Sequence, residues 1–324
     1  MTLPRRTLLG LALAAPASRA FADEPWPGAL VMGTGRPGGY YALYGPEWGK
    51  LATRATGVRI AYRASGGAAA DILLIEQGVT QLGMTTVTVA DQARAGSGQW
   101  TGGVQFDSFR ALFPMFPSVL QIISPQGTGI TKLADLAGHL IGTGPDGGTG
   151  AAAIPGIFSS LGIKPARLVA GDYDHQIQDM LAGRLSACAF LGAPPMPAIA
   201  RAASHQKFSL IGFAADQIDQ VANTQPGITS MVLAAGTFPG QSIAVASLGT
   251  TNLAIGAASL PDSLARALTM AALSNRAALA ALVPAAAALP ETAPILNGQI
   301  TFHPGAADAL RSLGLPVPAK YVEG

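Results

Sequence analysis

Two glycine-rich segments of the sequence carry the residue types that bind an anion without a charged side chain. Residues 33–39 read Gly-Thr-Gly-Arg-Pro-Gly-Gly, and residues 142–148 read Gly-Thr-Gly-Pro-Asp-Gly-Gly. Glycine adopts positive φ angles and lets a ligand approach the backbone, and the start of a following helix leaves main-chain N–H groups free. These donors and the positive end of the helix dipole favour a carboxylate or a phosphate. Each segment is therefore a candidate anion-binding turn.

Each glycine-rich segment lies between an apolar, strand-like run and a helical pattern, and each belongs to a series of such pairs. The first series has strands at 29–32, 58–62 and 81–84 and helices at 41–54 and 69–77. The second has strands at 138–142, 167–170 and 187–191, helices at 151–161 and 173–182, and a last helix opened by Pro194 and Pro195. This alternation predicts an α/β fold with parallel strands covered by helices.

Two long apolar runs, 109–124 and 242–257, separate and follow the second series. Each fits a strand that passes from one lobe into the other, so we expect a two-lobed fold with two hinge crossings. The predicted boundaries are 23–116 and 248–324 for a discontinuous lobe I, and 117–247 for lobe II.

Small and polar residues follow the strands, where ligands of open α/β sheets bind. The predicted ligand-binding residues are Arg36, Gly38, Gly39, Tyr40, Tyr41, Ser65, Gly66, Gly67, Thr85, Thr86, Gly147, Gly148, Thr149, Phe190 and Gly192. In this prediction the glycines at 38–39 and 147–148 donate N–H groups. Aromatic walls come from Tyr40, Tyr41 and Phe190, and hydroxyl groups come from Thr85 and Thr149. An ordinary turn is the alternative at each strand end, and Arg36 either enters the cleft or lies solvated at its rim.

The first segment also matches a dinucleotide-binding fingerprint, Gly33-x-Gly35-x-x-Gly38. That reading requires an acid at the end of the second strand, and this strand ends instead at Arg63. Because an arginine can accept a 2′-phosphate, an NADP-dependent enzyme stays an alternative. The repeat of the glycine motif in the second series counts against it.

Other reactive residues give little support for catalysis, and we expect neither an enzyme nor a cofactor. Asp172, Asp174 and His175 could suggest a metal site, but acids are common at helix starts and no second ligand cluster accompanies them. Acids and bases are scarce at the strand ends, where proton transfer would need them. The single cysteine, Cys188, lies in an apolar run and is expected to be a buried thiol.

The N-terminus has the pattern of an export signal. Arg5 and Arg6 precede an apolar run at 8–15, and Ala20-Phe21-Ala22 fits a cleavage site, so residues 1–22 are expected to be removed. Both the twin-arginine route and the general secretory route remain open. The Ala-rich stretch 264–289 reads as two soluble helices separated by Pro284 rather than a membrane segment.

Composition narrows the class of protein further. Hydrophobic residues make up 49% of the 324 residues and charged residues 12%, which excludes a disordered chain. The formal net charge of +2 would become −1 without the three arginines of the signal. A nucleic-acid partner is therefore not expected, because such proteins carry basic clusters.

Several short motifs together carry a resemblance to a known family. They are Gly33-Thr34-Gly35, Gly38-Gly39-Tyr40-Tyr41, Ser65-Gly66-Gly67, Leu82-Gly83, 142–150, Gly192-Ala193-Pro194, 236–241 and 302–307. Over nearly the whole mature chain, this series resembles the TAXI family, the solute receptors of one class of TRAP transporters. The resemblance implies a periplasmic-binding-protein type II fold, a periplasmic location, and a monomer that delivers a small organic acid to a TRAP-type permease of the inner membrane.

The sequence departs from the family pattern at several pocket positions. Arg36 and Pro37 stand where a small hydroxyl residue is usual, and Ala68 and Asp71 stand where serine and asparagine are usual. The third strand end carries Thr85 and Thr86 in place of more polar groups. The resemblance implies ligands such as glutamate-like amino acids or dicarboxylates, and these changes predict a ligand different from the common glutamate type. A sensor that presents its loaded form to a signalling protein is a further alternative.

Overall fold

Strands and helices alternate along the chain, as the apolar pattern predicts. The computed structural model describes residues 25–287, 292–296 and 298–322, so the predicted export signal lies outside the described residues. The strands are β1 (Ala29–Gly33), β2 (Arg59–Arg63), β3 (Leu82–Thr86), β4 (Phe109–Pro125), β5 (Leu140–Gly142), β6 (Arg167–Val169), β7 (Ala187–Gly192), β8 (Phe208–Ile211), β9 (Thr229–Leu233) and β10 (Val245–Ala257).

Helices follow most of the strands. They are α1 (Tyr41–Thr56), α2 (Ala68–Glu76), α3 (Val87–Ala95), α4 (Thr149–Ser160), α5 (Tyr173–Leu181), α6 (Pro197–Ala203), α7 (Ala215–Ala222), α8 (Asp262–Leu273), α9 (Arg276–Leu282), α10 (Ala293–Leu296) and α11 (Pro304–Ser312). Within the described residues, none of these helices has both the length and the apolar composition needed to cross a membrane.

The ten strands form one continuous sheet. Eight of them follow the order β2-β1-β3-β10-β4-β7-β5-β6, while β8 pairs with β4 and β9 pairs with β10. Pairing is parallel at both ends of the sheet, among β1, β2 and β3 and among β5, β6 and β7. At the centre β10 pairs antiparallel with β3 and β4, and β4 pairs antiparallel with β7. The long strands β4 and β10 are thus the two crossings that the sequence predicts.

Separate apolar cores lie on the two sides of these crossings. One core contains fully buried Trp48, Phe113 and Phe302 and packs β1–β3 against α1–α3 and the C-terminal helices. Two smaller cores contain Phe158 and Phe190 among the side chains of β5–β8 and α4–α7. We call the part around the first core lobe I and the part around the other two cores lobe II.

Two helix predictions differ from the structure. The break between the two helices of the Ala-rich stretch falls at Asn275 and not at Pro284. The Asn275 side-chain amide donates to the Ala271 carbonyl at 2.9 Å, just after α8 has ended. Pro284 instead opens a single 3-10 turn. Pro194 and Pro195 lie before α6 rather than in its first turn, which Pro197 occupies. Cys188 is fully buried, as expected.

Candidate functional site

The two glycine-rich turns line one small cavity between the lobes, with a volume of about 50 Å³. The sequence-predicted residues that line it are Arg36, Gly39, Tyr40, Tyr41, Gly66, Gly67, Gly148, Thr149 and Gly192. The floor comes from the crossing strands, through Phe116 and Ser118 of β4 and Asn252 of β10. Each wall is thus built by strand ends and helix starts, the positions that open α/β sheets use for ligands.

Tyr173, at the start of α5, lies between the two glycine-rich turns. A Cβ atom placed on Gly38, Gly39 or Gly144 would lie 3.5, 3.2 or 2.7 Å from the Tyr173 side chain. Burial raises the pKa of its hydroxyl to about 12. Sequence reasoning placed this residue at a helix start and missed its contact with both turns, because neither turn is near it in the sequence.

Main-chain groups join the lobes directly. The Gly147 carbonyl of lobe II accepts hydrogen bonds from the Ala69 and Ala70 N–H groups of α2 at 2.8 and 3.1 Å. A Cβ atom on Gly66 would lie 2.0 Å from the Asp146 carbonyl oxygen, so only glycine fits this approach. The lobes are therefore closed on each other, and a carbonyl oxygen already uses the free donors at the start of α2.

The start of α4 lines the cavity too, as Gly67 and Ala68 at the start of α2 do. Gly148 is the residue before the helix, and both it and Thr149 line the cavity. Thr149 is buried and lies near Tyr41 of lobe I, whose pKa it lowers against the larger, raising effect of burial.

The Gly39 and Gly148 N–H groups, predicted as ligand donors, donate instead to the Arg36 and Pro145 carbonyls of their own turns at 3.4 and 3.0 Å. What the start of α4 can present to a bound molecule is therefore the N–H groups of its first turn and the Thr149 hydroxyl.

Tyr41 also connects the cavity to the crossing strands. Its hydroxyl lies 2.7 Å from both the Thr85 carbonyl oxygen and the Asn252 Oδ1 atom. The Asn252 amide donates to the Phe116 carbonyl and the Ser118 Oγ atom, each at 2.7 Å, so its Oδ1 atom is left to accept from Tyr41. Burial, and next the nearby Asp71 carboxyl, raise the pKa of Tyr41 well above its ordinary value, which keeps the hydroxyl a neutral donor.

Arg36 lies at the rim of the cavity and is ion-paired across the lobes. Its Nε atom is 3.5 Å from Asp172 Oδ1, and the two side chains are 54% and 43% exposed. Asp174 pairs with Arg201 at 2.6 Å, so the acids considered as metal ligands have other partners. Within the described residues, no three histidine, cysteine or acidic side chains come together as a metal site.

The other predicted site residues do not line the cavity. Phe190 is fully buried and meets Tyr173 edge-on at 5.0 Å between ring centroids, so it forms no cavity wall, contrary to the prediction. Successive residues of a strand point to opposite faces, and Leu191 lines the cavity in its place. The remaining ones are Gly38, Ser65, Thr85, Thr86 and Gly147.

Thr85 and Thr86 end β3, which lies between β1 and β10 inside the sheet. Their hydroxyl oxygens are buried and have no hydrogen-bond partner among the described residues. Neither hydroxyl therefore supplies the cavity contact that the sequence predicts. Thr85 acts instead through its carbonyl oxygen, which accepts from Tyr41.

A buried acid lies directly behind the lobe I wall. The Ser65 Oγ atom accepts from the Gly35 and Gly67 N–H groups at 2.9 and 3.3 Å. Asp71 Oδ2 accepts from the Met84 N–H at 3.0 Å, whereas its Oδ1 atom has no partner within the described residues. Burial raises the pKa of Asp71 to about 7, against the lowering effects of the nearby Ser65 hydroxyl and the Met84 N–H.

Several solved structures have folds similar to that of this chain. A structure described as a periplasmic transporter aligns with a TM-score of 0.51 at 13% identity, over 81% of this chain and 88% of the other. The alkanesulfonate-binding protein SsuA from Xanthomonas axonopodis pv. citri, bound to MOPS, aligns at 0.50 and 12% identity over 93% and 99% of the two chains. An ancestral arginine-binding protein bound to arginine aligns at 0.50 and 14% identity over 80% and 98%.

At these identities the similarity concerns the fold, which is that of the two-lobed periplasmic binding proteins. The predicted fold class is thereby confirmed, including the two crossings β4 and β10. The chain belongs to the NMT1-like family, whose sequence pattern matches residues 32–314.

Proposed function

We propose that this chain is a periplasmic solute-binding receptor that captures a small organic acid, a carboxylate or an amino acid, between its lobes. The observation that carries the proposal is the shared cavity, which receives a glycine-rich turn from each lobe. The NMT1-like family and the fold support it. Closure would be a hinge motion at the crossings near Pro117 and Ser247, between lobe I at 23–116 and 248–324 and lobe II at 117–247.

A carboxylate fits best at the start of α4. Gly148 and Thr149 line the cavity there, and α4 is 12 residues long, so its dipole favours an anion. Arg36 adds a cation at the rim, and Tyr40 and Tyr41 supply aromatic walls. One water needs about 10–15 Å³ by this measure of volume. The closed cavity of about 50 Å³ therefore suits a ligand of few heavy atoms.

We propose further that the receptor is monomeric and delivers its ligand to a TRAP-type permease, as the resemblance to the TAXI family implies. Support comes from the series of motifs that contribute residues to the cavity, namely Gly35 of the first, Gly66 and Gly67 of the second, and Gly192 and Ala193 of a later one. A periplasmic location follows from the export pattern at residues 1–22. Co-purification of the protein with a permease encoded beside it tests this partner.

A thermal-shift screen of small carboxylates and amino acids, followed by calorimetry, tests ligand capture. We expect at least one acid to raise the melting temperature, and Thr149→Val to weaken its binding by about tenfold, the equivalent of one lost hydrogen bond of about 1.4 kcal/mol. Thr229→Val, an exposed threonine of β9, is the matched control and should bind as the wild type does. The absence of a shift with every acid, or micromolar binding of NADPH, would contradict the proposal.

A further inference from the structure

Asp71 is a buried acid to which the proposed capture of an anion assigns no role. It lies in the first turn of α2 and is fully buried. Two glycines make room for its carboxyl, since a Cβ atom on Gly33 would lie 2.2 Å from Asp71 Oδ1 and one on Gly83 would lie 3.0 Å from Asp71 Cβ. The strands β1 and β3 are thus shaped around this side chain.

The carboxyl lies one layer of residues behind the cavity wall. Ser65, whose nearby hydroxyl lowers the pKa of Asp71, accepts from the N–H groups of Gly35 and Gly67, and both of these glycines line the cavity. Tyr41 lines the cavity as well, and the charge of Asp71 raises the pKa of its hydroxyl. A negative charge on Asp71 therefore changes the electrostatic potential inside the cavity.

Among the described residues, the groups that face Asp71 carry no compensating positive charge. They are Gly33 from β1, Gly83 and the Met84 N–H from β3, the Ser65 hydroxyl from the turn before α2, and Tyr41 from α1. Tyr41 is the titratable group among them, and its neutral form is favoured by burial. An ionised Asp71 and an anion in the cavity would thus repel each other across a low-dielectric wall.

We propose that Asp71 sets the charge selectivity of the cavity, so that an anionic ligand is captured together with one proton, which Asp71 binds. This inference rests on the proposed function. Because burial already raises the pKa of Asp71 to about 7, the proton is available near neutral pH. At lower pH Asp71 is protonated before the ligand arrives, so affinity is constant. At higher pH capture requires proton uptake, and affinity falls.

Calorimetry with acetate, succinate and 2-oxoglutarate between pH 6 and 9 tests the proposal. For the wild-type protein we expect affinity to fall by up to about tenfold per pH unit above pH 7, with uptake of about one proton. Titration in two buffers of different ionisation enthalpy counts that proton without any variant. Asp71→Asn should bind without pH dependence or proton uptake.

Asp91→Asn is the matched control. Asp91, on α3, is another buried acid, and it accepts a hydrogen bond from the Gln299 N–H at 2.6 Å. This variant should keep the wild-type dependence of ligand affinity on pH. Binding that is independent of pH in the wild type, or an equal slope in Asp71→Asn, would overturn the role of Asp71 and leave the receptor intact. Affinity that rises with pH would also overturn it, because none of these acids carries a cation that an ionised Asp71 could attract. Failure of all three acids at every pH would overturn the inference for these anions, whereas only failure of the whole screen of carboxylates and amino acids would remove the proposed function.

Discussion

The two lobes carry the same glycine pattern, yet different polar side chains support it from beneath. In lobe II, Gln176 of α5 accepts from the Gly144 N–H at 2.8 Å and donates to the Val169 carbonyl at 2.6 Å. A Cβ atom on Gly142 would lie 2.8 Å from Gln176 Oε1, so Gln176 occupies the place that Asp71 has beneath Gly33. One turn is held by a satisfied neutral amide and the other by an acid with an unpaired oxygen.

The helices that follow the turns begin differently. In lobe I, α1 begins at Tyr41 after Tyr40, whereas in lobe II α4 begins at Thr149 after Gly148, and all four residues line the cavity. The duplicated motif thus precedes two aromatic side chains in lobe I and a helix start with small side chains in lobe II. The comparison teaches that a repeated glycine pattern fixes backbone shape, and that the residues beneath it decide the chemistry.

Among these variants, Asp71→Asn should produce the largest change in stability, because a neutral amide would then lie beneath the glycine-rich turn of each lobe. Burial raises the pKa of Asp71 from 3.8 to about 7, so the folded state holds the proton more tightly than the unfolded chain does. The wild type should therefore lose stability as pH rises from about 4 through 7, by up to about 4 kcal/mol at 1.36 kcal/mol per pKa unit. Asp71→Asn should lack this loss.

Chemical denaturation at pH 5 and pH 8.5 measures the effect. Burial raises the pKa of Asp91 too, so the comparison variant Asp91→Asn should lose only the contribution of Asp91 and keep the loss of stability that Asp71 causes. If the free energies of unfolding of the wild type and Asp71→Asn varied with pH in parallel, ionisation of the acid beneath the lobe I turn would not destabilise the fold. The contrast with Gln176 would then have no energetic meaning.

Gly66→Ala should break the contact through which the lobes meet. The added Cβ atom would lie 2.0 Å from the Asp146 carbonyl oxygen, a main-chain atom that cannot swing aside. Opening the lobes there would also cost the two hydrogen bonds to Gly147, about 1–3 kcal/mol, or about 5- to 150-fold in ligand affinity. Small-angle scattering should show a larger radius of gyration. Gly28→Ala, which has open space around it, should behave as the wild type does.

Gln176→Glu would give lobe II the titratable support that lobe I has. The new carboxylate loses the hydrogen bond to the Val169 carbonyl in a buried site, which should lower the free energy of unfolding by about 2 kcal/mol at pH 8. Burial would raise the pKa of the new acid, so part of the stability should return at pH 5. Denaturation curves measure this, with the exposed Gln178→Glu on the same helix as control. An unchanged stability would contradict the tight fit of Gln176.

Part of this structure follows from the sequence alone. The series of strands and helices, the two crossings and the pair of turns follow from apolar periodicity and glycine placement, which are local signals. The partners Gln176 and Asn252 are not local, since Asn252 meets Tyr41 only after β10 has crossed back into lobe I. The departure at Asp71 is visible in the sequence, but its unpaired oxygen depends on how Gly33 and Gly83 pack around it.

The Phe190 prediction was wrong for a physical reason that is specific to buried strands. Every residue from Ala187 to Leu191 is apolar, so no alternation reveals which side chains face the cavity and which face the core. The break at Asn275 has a similar origin, because α8 and α9 are both Ala-rich and helix propensity alone does not locate their junction.

Arg36→Ala should have the smallest effect, because the pair with Asp172 that bridges the lobes is about half exposed. Exposed ion pairs contribute about 0.2–1 kcal/mol, so ligand affinity should fall by no more than about fivefold, and the difference should vanish in 0.5 M salt. Asp172→Asn should weaken binding equally, since it removes the same pair. A loss well above tenfold that persists in high salt and is absent in Asp172→Asn would mean that the Arg36 guanidinium contacts the ligand itself, and that lobe I supplies a cation where lobe II supplies a helix start.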